Sequence, residues 1–260
     1  MSKQVITFNN SIKPIIFRAT INYIVSFIVL ITLLSCTTEE FPENQIFPKV
    51  ENAEWAYFDI PFTTNIIKRG KYKNDLKFGN WTYEITNTEN SKKIDWKLFS
   101  NNRLKLIIKD DWKVDTSNNN RLFFSITKDS TGYFVVLERM LPDYDPIDYL
   151  SELYEFSLND TSETLISRKA RLLVTSKQEN AITYDFNFNN GKIKSSALGF
   201  IFKKENKIFE IVFRQEVQSE TDKLWGKVVF TELINNIIID NTRVALSFDK
   251  YEKIEDIDFD

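Results

Sequence analysis

Residues 183–215, TYDFNFNNGKIKSSALGFIFKKENKIFEIVFRQ, decide the fold of this chain. Large apolar side chains alternate with polar or small ones along three segments, and this period of two residues is that of a β-strand. Asn189-Asn190-Gly191 and Glu205-Asn206, which separate the segments, have the composition of turns. The sequence therefore predicts three consecutive strands: Thr183–Phe188, Ala197–Lys203 and Lys207–Gln215.

The apolar residues of these strands predict a sheet with one side that must be covered. They are Tyr184, Phe186 and Phe188, then Leu198, Phe200 and Phe202, then Phe209, Ile211 and Phe213. The last predicted helix, capped by Ser219 with Asp222 in its first turn, carries an apolar stripe from Trp225 to Ile237 and is expected to be the cover. Helices on one face of an antiparallel sheet give an α+β sandwich.

Upstream of this stretch the same patterns predict four more strands and one helix. The strands are Leu104–Ile108, Leu122–Thr127, Tyr133–Arg139 and Ser167–Thr175. For the helix, Asp145 is the expected N-cap, Pro146 the first helical residue and Asp148 a carboxylate in the first turn. Apolar residues at helical spacing extend it to about Asn159.

The order of these elements, with Asp110-Asp111-Trp112 after the first strand, resembles the PsbP-like fold over about residues 97–245. That family, named for an extrinsic subunit of photosystem II, includes bacterial lipoproteins. It often has a proline before the tryptophan, where this chain has Asp110-Asp111. The resemblance implies a non-catalytic domain that binds or stabilises another protein, and it transfers no binding residue.

Residues 55–96 are predicted to form an aromatic β-hairpin region around the turn signal Asn74-Asp75. The spacing of glycine and aromatic residues from Gly70 to Tyr83 resembles a single MORN-type repeat, and a plain β-hairpin is the alternative. Trp81 is expected to be an exposed aromatic that contacts a partner. The acidic tail, residues 246–260, is expected to be either a fraying strand or disordered.

Residues 1–35 are predicted to be a lipoprotein signal peptide, because Lys3, Lys13 and Arg18 precede a short apolar run. Leu33-Leu34-Ser35-Cys36 resembles the bacterial lipobox, which implies that Cys36 carries the lipid, for example palmitate, and becomes the first mature residue. An uncleaved membrane anchor is the alternative.

Residues 36–54 are expected to combine the lipidated cysteine with a polar tether. Glu39-Glu40 resembles the surface-export signal of Bacteroidetes lipoproteins, although acidic residues also keep a tether solvated. The expected location is the cell envelope, with a lipid anchor in the outer membrane. Both a periplasmic and a surface-exposed position of the domain are compatible with the sequence.

The composition excludes several kinds of site. The chain has no histidine and one cysteine, which excludes Ser-His-Asp triads, Cys-His dyads, histidine metal sites and an intramolecular disulfide. Removal of the three basic residues of the signal peptide would change the formal net charge from −3 to −6. An acidic product argues against nucleic acid as a partner.

The densest carboxylate cluster, Asp143, Asp145 and Asp148, is explained by helix capping. We therefore predict no catalytic residue, no metal site, no cofactor and no enzymatic activity. The predicted function is that of a membrane-anchored lipoprotein that binds or stabilises an unknown envelope protein. The alternative is a carrier or sensor of an apolar small ligand or lipid, which requires a cavity between the last helix and the sheet.

Overall fold

The computed structural model describes residues 45–47, 66–73, 76–85, 91–115, 121–129, 131–245 and 250–259. The predicted signal peptide, Cys36, the Asn74-Asp75 turn and all of the tether except residues 45–47 lie outside the described residues. Among the residues that are described, no helix has the length and apolar character needed to span a membrane.

The described part of the chain forms fifteen strands and two helices. The strands are β1 (Gln45–Phe47), β2 (Ile66–Lys73), β3 (Leu76–Ile85), β4 (Ser91–Ser100), β5 (Leu104–Lys109), β6 (Lys113–Val114), β7 (Arg121–Ile126), β8 (Tyr133–Met140), β9 (Thr164–Thr175), β10 (Asn180–Asn189), β11 (Lys194–Lys204), β12 (Lys207–Glu216), β13 (Ile238–Ile239), β14 (Thr242–Arg243) and β15 (Tyr251–Ile257). The helices are α1 (Pro146–Asn159) and α2 (Glu220–Asn235).

The strands form two antiparallel sheets. One has seven strands in the order β1-β2-β3-β4-β5-β13-β14, and the other has eight in the order β15-β9-β10-β11-β12-β8-β7-β6. The fold is therefore dominated by antiparallel sheets, with two helices in the described part. The predicted antiparallel sheet and helices are confirmed, but a single sheet covered by helices is only part of the architecture.

The individual elements agree well with the sequence patterns, with one large omission. The seven strands predicted between residues 104 and 215 are all present, and β2 and β3 form the predicted hairpin. The tail provides a strand, β15, which pairs with β9. The sequence patterns did not predict β4, which pairs with β3 on one side and β5 on the other. The hairpin region and the following residues therefore share one sheet.

The two helices cover opposite faces of the eight-stranded sheet, so the expectation that all its aromatic residues share one covered face was wrong. Tyr184 pairs with Gly199, and hence Leu198 and Phe200 on either side of Gly199 point to the other face. Phe200 belongs to the core that contains α2 and the seven-stranded sheet, whereas Tyr184 belongs to the core that contains α1.

The helix α2 packs against β11 and β12 of the eight-stranded sheet and against β5 of the seven-stranded sheet. Trp81 of β3 lies in this core with 0% of its surface exposed, so the expectation of an exposed Trp81 was wrong. Its indole lies across β2 at Gly70, where a Cβ atom would come within 2.2 Å of the ring. Trp81 is therefore part of the interior and presents no surface to a partner.

Candidate functional site

A cavity of about 820 Å³ lies between α1 and the eight-stranded sheet, on the face opposite α2. Small-molecule sites in proteins commonly have volumes of about 300–1,000 Å³. Most of the lining is aromatic or aliphatic, including Phe124, Val135, Leu137, Leu153, Phe186 and Val212.

The position of α1 explains why the cavity exists. Asp145 caps the helix by accepting hydrogen bonds from the backbone N–H groups of Ile147 and Asp148, at 2.7 and 3.0 Å. The Asp148 side chain in turn accepts a hydrogen bond from the Asp145 N–H, which completes a capping box. The helix packs against β9, β10 and β11. The surface formed by β12, β8 and β7 is thus left beside it as the floor of the cavity.

A buried carboxylate connects α1 to this floor. Glu210 of β12 is 4% exposed and accepts one hydrogen bond from Tyr149 of α1 and one from Tyr184 of β10, both at 2.7 Å. Burial, together with the nearby Glu210 charge, raises the pKa of both phenols above 10.0, so both stay protonated and donate. Because both carboxylate oxygens are engaged, the group fixes the helix on the sheet.

Gly199 of β11 makes this arrangement sterically possible. The Tyr184 ring lies directly over Gly199, where a Cβ atom would come within 2.0 Å of the ring carbons. Any larger residue at this position would displace the ring from the path by which its hydroxyl reaches Glu210.

One edge of the cavity carries a closed ion pair. Arg214 of β12 donates to both carboxylate oxygens of Glu163, one of them at 2.8 Å, and to the Ser195 hydroxyl at 2.8 Å. Its guanidinium also lies 4.9 Å from the centre of the Phe188 ring. Burial alone would lower the pKa of Arg214, but Glu163 outweighs that effect and raises it, so the arginine remains charged.

Two further arginines line the cavity and are exposed to solvent. Arg121 of β7 lies 4.5 Å from the centre of the Phe124 ring, and Arg139 of β8 lies 5.5 Å from that of Tyr149. Within the described residues neither guanidinium forms an ion pair. Among the residues that the structure describes, these two positive charges therefore contact aromatic rings and no carboxylate.

The residues singled out from the sequence are distributed differently from this site. Asp145 and Asp148 cap α1, as the sequence predicts. The described part of the chain contains no cluster of three or more histidine, cysteine or carboxylate groups that could hold a metal ion. A cavity was expected beside the last helix, and the cavity of about 820 Å³ lies beside α1, because register turns Tyr184 and Phe186 toward that helix.

Glu210 was missed from the sequence, although a signal for it was present. It is the one acidic residue in Ile208-Phe209-Glu210-Ile211-Val212, a run that the structure buries on both faces. A buried charge inside an apolar strand needs partners, and this requirement could have marked the residue as part of a site.

No family model matches the chain, and no curated protein matches it. Among solved structures, the chain is similar to cyanobacterial PsbP from Synechocystis sp., with 12% identity and a TM-score of 0.39 over 55% of this chain and 92% of that one. A protein from Bacteroides thetaiotaomicron gives 15% identity and a TM-score of 0.33, over 52% of this chain and 44% of that one. A protein of unknown function from Pseudomonas aeruginosa gives 12% identity and a TM-score of 0.29, over 51% of this chain and 92% of that one.

Proposed function

We propose that this chain is a membrane-anchored lipoprotein whose folded domain carries or senses an apolar small ligand. The observation that supports this proposal is the cavity of about 820 Å³ between α1 and the eight-stranded sheet. Its aromatic and aliphatic walls with a few convergent polar groups are the usual composition of a small-molecule site.

The way in which α1 is held also supports ligand binding. If α1 were free to settle on the sheet, its apolar side chains would fill the cavity, since close packing stabilises the folded state. The Tyr149 hydrogen bond to Glu210 holds the helix at a fixed distance from β12, and the Tyr184 hydrogen bond orients the Glu210 carboxylate. A cavity that is held open in this way offers apolar surface to a ligand without a large rearrangement of the protein.

The proposed anchor is Cys36, at the end of the lipobox-like Leu33-Leu34-Ser35-Cys36. Lipidation there would hold the domain at the cell envelope, and we propose the outer membrane, on either face. The proposal includes two assignments that rest on resemblances in the sequence. These are a PsbP-like domain and a single MORN-type hairpin before it.

Photoaffinity labelling of the full chain tests the proposal. A photoactivatable long-chain alcohol should label peptides that line the cavity, and excess unlabelled alcohol should compete. Ala197→Trp would fill the cavity, because Ala197 points into it, and should lower labelling at least tenfold. Ile193→Trp, at an exposed position outside the cavity, should have no effect.

Labelling that does not saturate, or that survives both Ala197→Trp and the second filling variant Val212→Phe, would contradict the proposal. Circular dichroism of each variant shows whether the fold is kept. If Ala197→Trp does not fold, Val212→Phe alone decides the question.

The second candidate function is docking to an envelope protein, and exposed apolar side chains favour it. Phe156 and Leu158 of α1 are 72% and 54% exposed, and Ile166 of β9 is 52% exposed. Exposed aromatic side chains such as Phe156 are enriched in protein interfaces. Phe156→Ser should then abolish crosslinking to a partner, and Ile193→Ser should not. Equal crosslinking in both variants would argue against docking through Phe156.

A further inference from the structure

We propose that the ligand of the α1 cavity is an anionic amphiphile with a single hydrocarbon chain, whose head group is bound by Arg121 and Arg139. This inference rests on the proposed function, because it names the class of ligand that the same cavity would take. The charge, the position and the length of the site each contribute to it.

The two arginines lie on the same face of neighbouring strands. Arg121 pairs with Leu137 across β7 and β8, and Arg139 is two residues beyond Leu137. Diagonal neighbours of this kind are about 7–8 Å apart on one face of a sheet. Both side chains line the cavity, so two guanidinium groups can converge on one head group from adjacent strands.

The other charged groups at the cavity are already engaged. Glu210 accepts from two tyrosines, and Glu163 accepts from Arg214. Glu152 accepts from the Tyr144 hydroxyl, and Asp160 accepts from Ser162 at 2.6 and 2.8 Å.

In the described part of the chain, Arg121 and Arg139 instead face the rings of Phe124 and Tyr149. A carboxylate or phosphate would give these guanidinium groups charge-assisted hydrogen bonds, which are stronger than contacts with a ring. An anion is therefore favoured by these two guanidinium groups, which no carboxylate of the described residues pairs with.

The remainder of the cavity fits a hydrocarbon chain. Its lining follows β8 from Arg139 to Tyr133, and the six steps between these seven residues span about 20 Å in a strand. Beyond the arginines, the apolar part of the wall includes Val135, Leu137, Phe186, Phe188 and Val212. The charged groups of the same wall, Glu210 and the Arg214–Glu163 pair, are hydrogen-bonded within the protein. A volume of about 820 Å³ is that of a single small ligand, which favours one chain over the two of a phospholipid.

Competition against the photoactivatable alcohol in the full chain tests this inference. Palmitate, hexadecyl phosphate and hexadecanol share one tail length and differ in head group. We expect palmitate, hexadecyl phosphate or both to compete about tenfold better than hexadecanol. A gain in affinity of about this size is expected from two exposed ion pairs between the head group and the arginines. Raising the salt concentration should reduce the preference, because the arginines are exposed.

The double variant Arg121→Gln/Arg139→Gln should lose this preference while hexadecanol still competes as in the wild type. The matched control is Lys105→Gln/Lys113→Gln, which removes two exposed positive charges away from the cavity and should keep the preference. Preference for palmitate alone identifies a carboxylate ligand, and preference for hexadecyl phosphate alone identifies a phosphate ligand.

The outcomes separate this inference from the function on which it rests. Equal competition by all three compounds, or a preference that persists in the double arginine variant, would overturn the inference while the cavity remains a binding site. Failure of every compound to reach the cavity would overturn the proposed function itself.

Discussion

Single residues decide the geometry of the α1 cavity. Glu210 would be costly to bury alone, and it is stabilised because Tyr149 and Tyr184 both donate to it. Gly199 in turn allows the Tyr184 ring to lie flat on β11. Three strands and one helix thus meet at a network of four residues, and the open volume of the cavity depends on that network.

We expect Gly199→Ala to lower the free energy of unfolding by about 1–3 kcal/mol, the usual cost of inserting a methyl group into a packed site. The added Cβ would displace the Tyr184 ring, break its hydrogen bond to Glu210 and reduce photolabelling of the cavity. Urea denaturation measures the stability. In a Tyr184→Ala background the same substitution should cost less, since the clashing ring is gone. Equal costs in the two backgrounds would contradict this account.

The sequence could predict part of this network, but it could not predict the hydrogen bond between Tyr149 and Glu210. Strand alternation puts Glu210 on the same face as Ile208 and Val212, which is correct. Its partner Tyr149 is 61 residues away and on a helix, and alternation within a strand carries no information about which distant element will cover it. Arg121 also fell one residue before the predicted strand Leu122–Thr127, so its position in the cavity was not predicted.

At the scale of elements, a buried ion cluster connects α2 to the hairpin β2–β3. Glu232 of α2 forms a salt bridge at 2.6 Å with Lys68 of β2 and another with Lys77 of β3. All three side chains are almost fully buried, and the Lys77 ammonium lies 4.0 Å from the centre of the Trp81 ring. Removing one partner from such a cluster leaves buried charge behind, which is strongly destabilising.

We therefore expect Glu232→Gln to lower the free energy of unfolding by about 3–5 kcal/mol. The matched control is Glu84→Gln on β3, which breaks the exposed pair with Arg69 at 2.7 Å and should cost no more than about 1 kcal/mol. Chemical denaturation of both variants at neutral pH compares the two costs. Similar losses would show that the buried cluster does not connect α2 to the hairpin.

The same carboxylate predicts a dependence on pH. Burial alone would raise the pKa of Glu232, but Lys68 and Lys77 outweigh burial and lower it below its ordinary value of 4.5. Its contribution to stability is therefore complete above pH 4.5 and is lost as the pH falls through the lowered folded-state pKa. The acid-induced loss of stability should be smaller in Glu232→Gln than in the wild type. An unchanged slope would contradict the assignment.

Local sequence patterns predicted the positions of helices and strands better than they predicted the packing and register between them. Asp145 and Ser219 are the N-caps of α1 and α2, because capping depends on residues within one turn. The patterns did not predict β4, whose buried Ile94 and Trp96 are flanked by lysines and an aspartate. The face assignment failed at the Tyr184–Gly199 register, because register depends on the pairing of separate strands.

At the scale of the whole molecule, residues Asn44–Asp260 form one compact unit. This unit contains both sheets, both helices and the α1 cavity, so the ligand binding that we propose would be a property of this unit. Where the unit acts depends on the lipid that we propose on Cys36, which lies outside the described residues. Binding and location can therefore be tested separately.

We expect Cys36→Ala to abolish incorporation of a palmitate analogue in growing cells, whereas the neighbouring Thr37→Ala should keep the label. Without acyl chains the mature part has a formal net charge of −6, and anionic lipid headgroups repel such a protein. The variant should therefore lose stable attachment to the membrane, unless the apolar run 21–34 stays uncleaved and holds it there. Protease added to intact wild-type cells distinguishes surface exposure, where the domain is cut, from the periplasm, where it is protected. Label that persists in Cys36→Ala would exclude Cys36 as the acylation site, and label absent from the wild type would exclude a lipoprotein.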